Sequence, residues 1–393
     1  MMSELLESRW VDTKNALLEG LQGNKKSVMA ATLENTRKYL SESATAGATS
    51  AGNVATLNRV ILPVIRRVMP TVIANELVGV QPMTGPVGQI HTLRVRYSDT
   101  VAANGGVNGT TAGEEALSPF KIAEQYSGAT SGKADATAAL EGAAGRKMSI
   151  QILKQTVEAK TRKLSARWTF EAAQDAQSMH GIDVEAEIMA ALAQEITAEI
   201  DQEVIGSLVT LSGAAAQTYN QGTVSGTATF VGDEHAALAV QINRVSNLIA
   251  QRTRRGAGNW AVVSPFALTI LQSATTSAFA RTTEGTFEAP TNTKMVGTLN
   301  NAMKVYVNTY AADNAPVLIG YKGSSESDAA AFYCPYIPLM SSGVVLDPGT
   351  FEPTVSFMTR YGYVELNNTA SSLGNAADYL GNVAITDTSV SFS

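Results

Sequence analysis

The side chains best suited to metal binding or catalysis are three histidines, His91, His180 and His235, and a single cysteine, Cys334. A zinc site needs His and Cys at short, fixed intervals that bring two ligands onto one turn or one helix face. Here the histidines fall in different elements and no His/Cys pair has that spacing, so no metal is expected. Residues 128–133 read GATSGK, which invites comparison with a phosphate-binding loop. One spacer residue is missing between its glycines, and Ala134 stands where Ser or Thr would ligate magnesium. Neither a G-x-S-x-G elbow nor an H-E-x-x-H helix occurs. Acidic residues are scattered along helical stretches as solvated faces require. No catalytic residue and no cofactor is expected.

Two basic clusters remain. Arg252, Arg254 and Arg255 lie near the end of an amphipathic stretch. Cations at a helix C-terminus gain about 0.3–1 kcal/mol each from the dipole, and the same cluster is suited to a neighbouring subunit or a nucleic acid. Arg66 and Arg67, in the proline-flanked VIRRVMP, have little core of their own and suit an ion pair with another subunit. A net charge of −6 argues against a protein whose main task is to grip nucleic acid.

The elements that position these groups follow from periodicity. Leu6, Trp10, Leu17 and Leu21 recur at helical spacing within residues 1–42, either docked on their own domain or needing a partner helix. SESATAGATSAGN then forms a small-residue linker. The turn cluster Gly79, Pro82, Gly85, Pro86, Gly88 leads into a strand in which Leu93, Val95 and Tyr97 alternate with Thr92, Arg94 and Arg96. Residues 98–147 are rich in Gly, Ala, Ser and Thr, with too few apolar residues for a core. A loop of that length is either disordered or ordered by contacts beyond its own domain.

A return strand runs through Leu164, Ala166, Trp168 and Phe170, followed by a short helix near 171–179. Asp183 offers an N-cap to the longest helix, whose Ile188, Leu192, Ile196, Ile200, Val204 and Leu208 step by four. Each such step overshoots a turn by about 40°, so different partners must cover the two ends. A second helix is expected over 233–255, stopping at Gly256, and a third begins at Ser264-Pro265. Strands are expected at WAVVS, KVYVNTY, PVLIGYKG, AAFYCPYIPL and TVSFMTRYGYVEL. The fold class is α+β with one dominant helix.

Charged residues make up 16% of the 393, against about 25% in typical soluble domains. Faces covered by neighbouring subunits need less charge than faces in water, so an assembly is favoured over a neutral soluble monomer. One cysteine excludes an internal disulfide framework. MMSELLESRW lacks the basic and apolar regions of a secretion signal, and no apolar run approaches the roughly 20 residues of a membrane span.

The stretch from Pro70 to Tyr97, PTVIANELVGVQPMTGPVGQIHTLRVRY, resembles the start of the major capsid protein of T-even-type tailed bacteriophages. VEAKTRKLSARWTFEAAQDAQSMHGIDVEAE, QRTRRGAGNW, VYVNTY, GYKG, FYCPYIPL and FMTRYGY are similar to that family's segments in the same order. The resemblance implies the HK97-like capsid fold. Residues 1–42 would be an N-terminal helical prosegment, 43–88 the N-arm, 89–149 the E-loop, 150–212 the P-domain with the spine helix, and 213–335 the A-domain. Residues 336–393 would return to the P-domain and form the tail. The chain is shorter than the best-known members between E-loop and spine strand, and their insertion domain is not expected.

That family tiles icosahedral heads with hexameric capsomers enclosing double-stranded DNA, so the resemblance implies a virion subunit assembled in the host bacterial cytoplasm. A pentameric vertex paralogue or an encapsulin-like shell of the same fold is the alternative. Implied partners are further copies of the chain, a vertex protein, a portal, a scaffold, a prohead protease and non-specifically held DNA, with no membrane. The protease of this family cleaves after Glu in a Leu/Ile-x-Glu context. Leu40-Ser41-Glu42 fits, which places cleavage between Glu42 and Ser43, although Leu5-Leu6-Glu7 and Leu17-Leu18-Glu19 fit as well. Candidate contacts between subunits are Arg66, Arg67, Phe120, Lys121, Tyr126, Arg252, Arg254 and Arg255.

Overall fold

The computed structural model describes residues 10–11, 14–15, 17–18, 23, 26–35, 73–104, 109–114, 116, 125–128, 133–141, 145–180, 183–220, 231–253, 255–274, 279–281, 294–300, 302–326, 328–350, 352–366 and 376–386. In chain order the elements begin with α1 (Ala74–Leu77), β1 (Gly79–Val80), β2 (Val87–Tyr97), α2 (Thr137–Leu140), β3 (Met148–Glu158) and β4 (Lys160–Arg167). They continue with α3 (Phe170–His180), α4 (Val184–Ser212), β5 (Gln217–Tyr219), α5 (Val231–Thr253), β6 (Trp260–Val263) and α6 (Pro265–Ser273). The remainder are β7 (Phe279–Arg281), β8 (Lys294–Leu299), β9 (Met303–Val307), β10 (Val317–Gly320), β11 (Ala331–Ser341), β12 (Val345–Leu346), β13 (Pro353–Glu365) and β14 (Leu380–Ile385). The chain is α+β, and it divides into two units.

The first unit gathers Met1–Gly88, Val157–Gly206 and Phe332–Val364. Its sheet runs β1-β11-β13-β12, with β4 also on β13. β4 and β13 are antiparallel from Thr354 opposite Arg167 to Tyr361 opposite Lys160. On β13 the buried positions Val355, Phe357, Thr359 and Tyr361 are the alternating set seen in the sequence. β11 is buried at nearly every position, as in a strand covered on both faces.

The return strand ends earlier than expected. Thr169 accepts the Ala172 N–H on its side chain at 3.3 Å, a cap that turns the backbone into α3. Trp168 is therefore outside β4, and Phe170 opens the helix with its side chain exposed. Asp183 does cap α4: its Oδ1 accepts the Glu185 and Ala186 N–H groups at 3.1 and 3.4 Å. With 29 residues this helix is about 43 Å long. Leu192, Ile196, Ile200, Val204 and Leu208 are all buried. Residues up to Gly206 belong to the first unit and Ser207 onward to the second.

The second unit comprises Gln89–Thr156, Ser207–Ala331 and Glu365–Ser393. Its sheet has the order β5-β14-β10-β6-β9-β8-β7 and is mixed, with β5/β14 and β6/β9 parallel. Leu238, Ile242, Val245 and Ile249 of α5 join Ile270 and Leu271 of α6 over Val305, Val317, Ile319 and Val383. Burial of each such side chain stabilises the unit by about 1.5–3 kcal/mol. Ser264 Oγ accepts the Ala267 N–H at 3.2 Å with Pro265 at the first helical position.

α5 ends at Thr253, three residues before the expected stop at Gly256. Gly256 serves another purpose: a Cβ there would lie 2.6 Å from the Tyr321 ring. Gly320 is tighter still, with a Cβ falling 2.1 Å from Trp260 Cζ2. Short apolar strands β7, β8, β12 and β14, and the long β3, were not anticipated from the sequence.

Candidate assembly surfaces

β2 and β3 form a two-stranded ribbon. Ser98 N–H donates to Lys147 O at 3.1 Å and Ala159 N–H to Pro86 O at 2.9 Å. These bonds fix an antiparallel register in which Val95 lies opposite Ile150 and Tyr97 opposite Met148. Side chains alternate across a strand, so Met148, Ile150 and Ile152 share one face of β3. They are 51%, 67% and 66% exposed. A ribbon of two strands has no second layer to cover such a row.

The sequence beyond β2, expected to lack a core, builds a small one. The Tyr97 and Tyr126 rings lie 4.4 Å apart with Val101 and Ala116 beside them. The Tyr126 hydroxyl donates to Lys147 O and accepts the Asp99 N–H at 3.3 Å. Asp99 Oδ2 accepts the Lys147 N–H at 2.9 Å, and Arg146 donates to the Gln125 and Tyr126 carbonyls. Gln125 Nε2 reaches Ala102 O at 2.7 Å. These bonds brace the ribbon at its loop end, while the isoleucine row stays uncovered.

A second exposed apolar stretch lies in the first unit. Val344 and, on the edge strand β12, Val345 and Leu346 are 40–53% exposed. In the same unit Arg162 of β4 binds Glu199 and Glu203 of α4 at 2.7 and 2.6 Å and donates from Nε to the Tyr361 hydroxyl at 2.6 Å. Tyr361 in turn donates to Glu203. Burial alone would raise the Glu203 carboxyl, but Arg162 and Tyr361 outweigh it and hold it below the ordinary range. This network ties β4, β13 and the long helix together. Asn35 ties the N-terminal helical residues to the same unit, donating to Met83 O and Tyr336 O at 2.7 and 3.0 Å.

Of the residues singled out from sequence, Glu42, Ser43, Arg66, Arg67, Phe120, Lys121 and Arg254 lie outside the described residues. Tyr126 is buried within its own unit, as above. Arg252 is in the last turn of α5, where the helix dipole favours it. Arg255 lies beyond that helix and pairs with Asp328 at 2.6 Å. The Tyr379 hydroxyl donates to the same Asp328 oxygen at 3.3 Å, and Tyr321 donates to Arg255 O at 3.4 Å. The arginine and its neighbours thereby fasten the turn after α5 to the loop after β10.

His91 is exposed, whereas His235 is buried with Nδ1 against Ser273 Oγ, its imidazole held below the ordinary value by burial. Cys334 is buried and its thiol pushed up to about 11 by that burial. Among the described residues no group of His, Cys, Asp and Glu is arranged to hold a metal, and no helix is long and apolar enough to cross a membrane. The ribbon row was missed, although the period-2 pattern of Met148, Ile150 and Ile152 carried the signal. The Arg162–Glu203–Tyr361 network joins residues too distant in sequence for any local pattern to announce.

Among solved structures, a chain of Mycobacterium phage Adephagia superposes with a TM-score of 0.48, at 11% identity over 81% of this chain and 91% of that one. The capsid of Myoviridae phage XM1 gives 0.45 at 10% identity, over 80% and 92%. The major capsid protein of Vibrio phage KVP40 is 29% identical over 417 residues, covering 84% of this chain and 80% of the relative. That of Enterobacteria phage T4 is 29% identical over 425 residues, covering 86% and 80%. The family model described as major capsid protein Gp23 matches residues 54–385, and the chain belongs to that family.

Proposed function

We propose that the chain tiles a closed icosahedral head of hexameric capsomers around double-stranded DNA, on an HK97-like arrangement of N-arm, E-loop, P-domain and A-domain. The observation that carries this is the family match over residues 54–385, which spans most of the chain. As a member of that family the chain is a component of the virion. It performs no catalysis; its work is mechanical.

The parts are assigned as 43–88 for the arm, 89–149 for the E-loop, 150–212 for the P-domain with the spine helix, 213–335 for the A-domain, and 336–393 for the return and tail. The ribbon face of Met148, Ile150 and Ile152 rests on a second copy of the chain, because three alternate apolar side chains in water favour any cover that removes them from it. Arg66, Arg67, Phe120 and Lys121 join such contacts, and Arg252 and Arg254 supply charge at the same kind of boundary. A prohead protease cuts between Glu42 and Ser43, and a scaffold, a vertex protein and a portal complete the head. DNA is held without sequence preference, in keeping with the net charge of −6.

Electron microscopy of particles from cells producing the chain tests the reading. Closed shells with six-fold capsomers support it. A chain that stays monomeric at high concentration, or shells built of pentamers alone, refutes it.

A further inference from the structure

Asp201 lies in the buried face of α4 and is 1% exposed. Its Oδ1 accepts the backbone N–H of Ile73 at 2.9 Å, where the chain enters α1. Its Oδ2 is buried with no hydrogen-bond partner among the described residues. Beside this bond Ile73, Ala74, Leu77, Val78 and Val80 are each at most 4% exposed. One bond from a half-satisfied acid therefore joins the entry of the arm to the long helix within the first unit.

The ionisable groups around that acid do not neutralise it. Tyr333 of β11 feels the Asp201 charge, with Tyr361 of β13, Glu203 of the long helix and Cys334 of β11 around that tyrosine in turn, and burial keeps both tyrosines protonated. Glu76 stands in the first turn of α1. Arg162 is committed to Glu199 and Glu203. An ionised Asp201 would strengthen its bond to Ile73 but leave a charge with one oxygen unmatched in the interior, and the second effect is the larger. Burial accordingly pushes the carboxyl up to about 7.

We propose that Asp201 is a protonation latch: neutral, it holds the entry of the arm against the long helix, and ionised, it draws in water and loosens that attachment. Water reaches Oδ2 only if the α1 entry and the α4 face part, so the proton on one side chain sets how firmly the arm is seated. This goes beyond the shell reading and does not depend on it, since the latch lies within one unit of one chain.

Hydrogen exchange of the full chain tests it, read at amides 73–78 and corrected for intrinsic rates. Between pH 6 and pH 8 protection in the unaltered chain should fall about tenfold, following one decade per pH unit below the midpoint and levelling off above it. In Asp201→Asn the amide oxygen still accepts from Ile73 and nothing titrates, so protection should stay flat. Flat protection in the unaltered chain, or the same fall in the variant, overturns the proposal. Should the variant fail to fold, an infrared titration of the unaltered chain decides. A protonated-carboxyl band that vanishes with a midpoint near 7 supports the latch, and its absence above pH 5.5 refutes it.

Discussion

Replacing Ile150 and Ile152 together with threonine separates folding from assembly. Threonine keeps the β-branch that suits a strand while exchanging most of the apolar surface for a hydroxyl. Each isoleucine is about two-thirds exposed. Full burial of such a side chain is worth about 1.5–3 kcal/mol, so covering the exposed part contributes about 1–2 kcal/mol per residue at a contact between copies. The pair then carries about 2–4 kcal/mol, or roughly 30- to 1,000-fold in the association constant at 1.4 kcal/mol per decade. Because most of each side chain is uncovered within its own unit, the unassembled chain should change by at most about 0.5 kcal/mol, a melting shift of about 1–2 °C. Sedimentation across a concentration series gives the assembly threshold, and circular dichroism gives the melt. A threshold unchanged from the parent chain would refute the assignment of this face to a neighbour. A melt many degrees lower would show that the two residues are internal packing instead.

Asp201 makes the first unit pH-sensitive in a defined direction. Its carboxyl is raised from 3.8 to about 7, so between those values the folded chain holds a proton that the unfolded chain has lost. Stability should fall as pH rises through about 4 to 7 and level off above, by about 4 kcal/mol from three units at 1.36 each. Denaturant melts of Asp201→Asn should lack that slope, leaving the variant the more stable at pH 8. Gly320→Ala forces a Cβ to within 2.1 Å of Trp260 Cζ2 in the second unit's sheet. Overpacking there should cost about 1–3 kcal/mol, read as a lower midpoint in urea, and an unchanged midpoint would contradict the close approach. Cleavage between Glu42 and Ser43 predicts that intact-mass analysis of finished virions finds a chain beginning at Ser43. A Met1 terminus there would rule it out.

The helices were legible because their signals are local. Asp183 and Ser264 cap α4 and α6 as their side chains indicate, and the stripe of Leu192 to Leu208 is buried along its length. Strand ends were less legible, because Leu164 to Phe170 alternates through a point where Thr169 turns the chain into α3. The small core around Tyr97 and Tyr126 was invisible in a stretch so rich in Gly, Ala and Thr, since two rings and a few hydrogen bonds suffice once the ribbon sets their spacing. Arg255 illustrates the opposite difficulty. Its position after a helix suggested a dipole effect, but its partner Asp328 lies far along the sequence, and only the folded sheet brings them together. The buried acid Asp201 reads in sequence as one more polar residue on a helix, and burial alone gives it a different chemistry.

Electron cryomicroscopy of the purified assembly, at a resolution that traces residues 87–158, tests self-tiling most directly. Closed shells are expected in which the row of Met148, Ile150 and Ile152 on each subunit lies against an adjacent copy. Shells in which that row remains in solvent, or a preparation containing no closed particles at all, would contradict it.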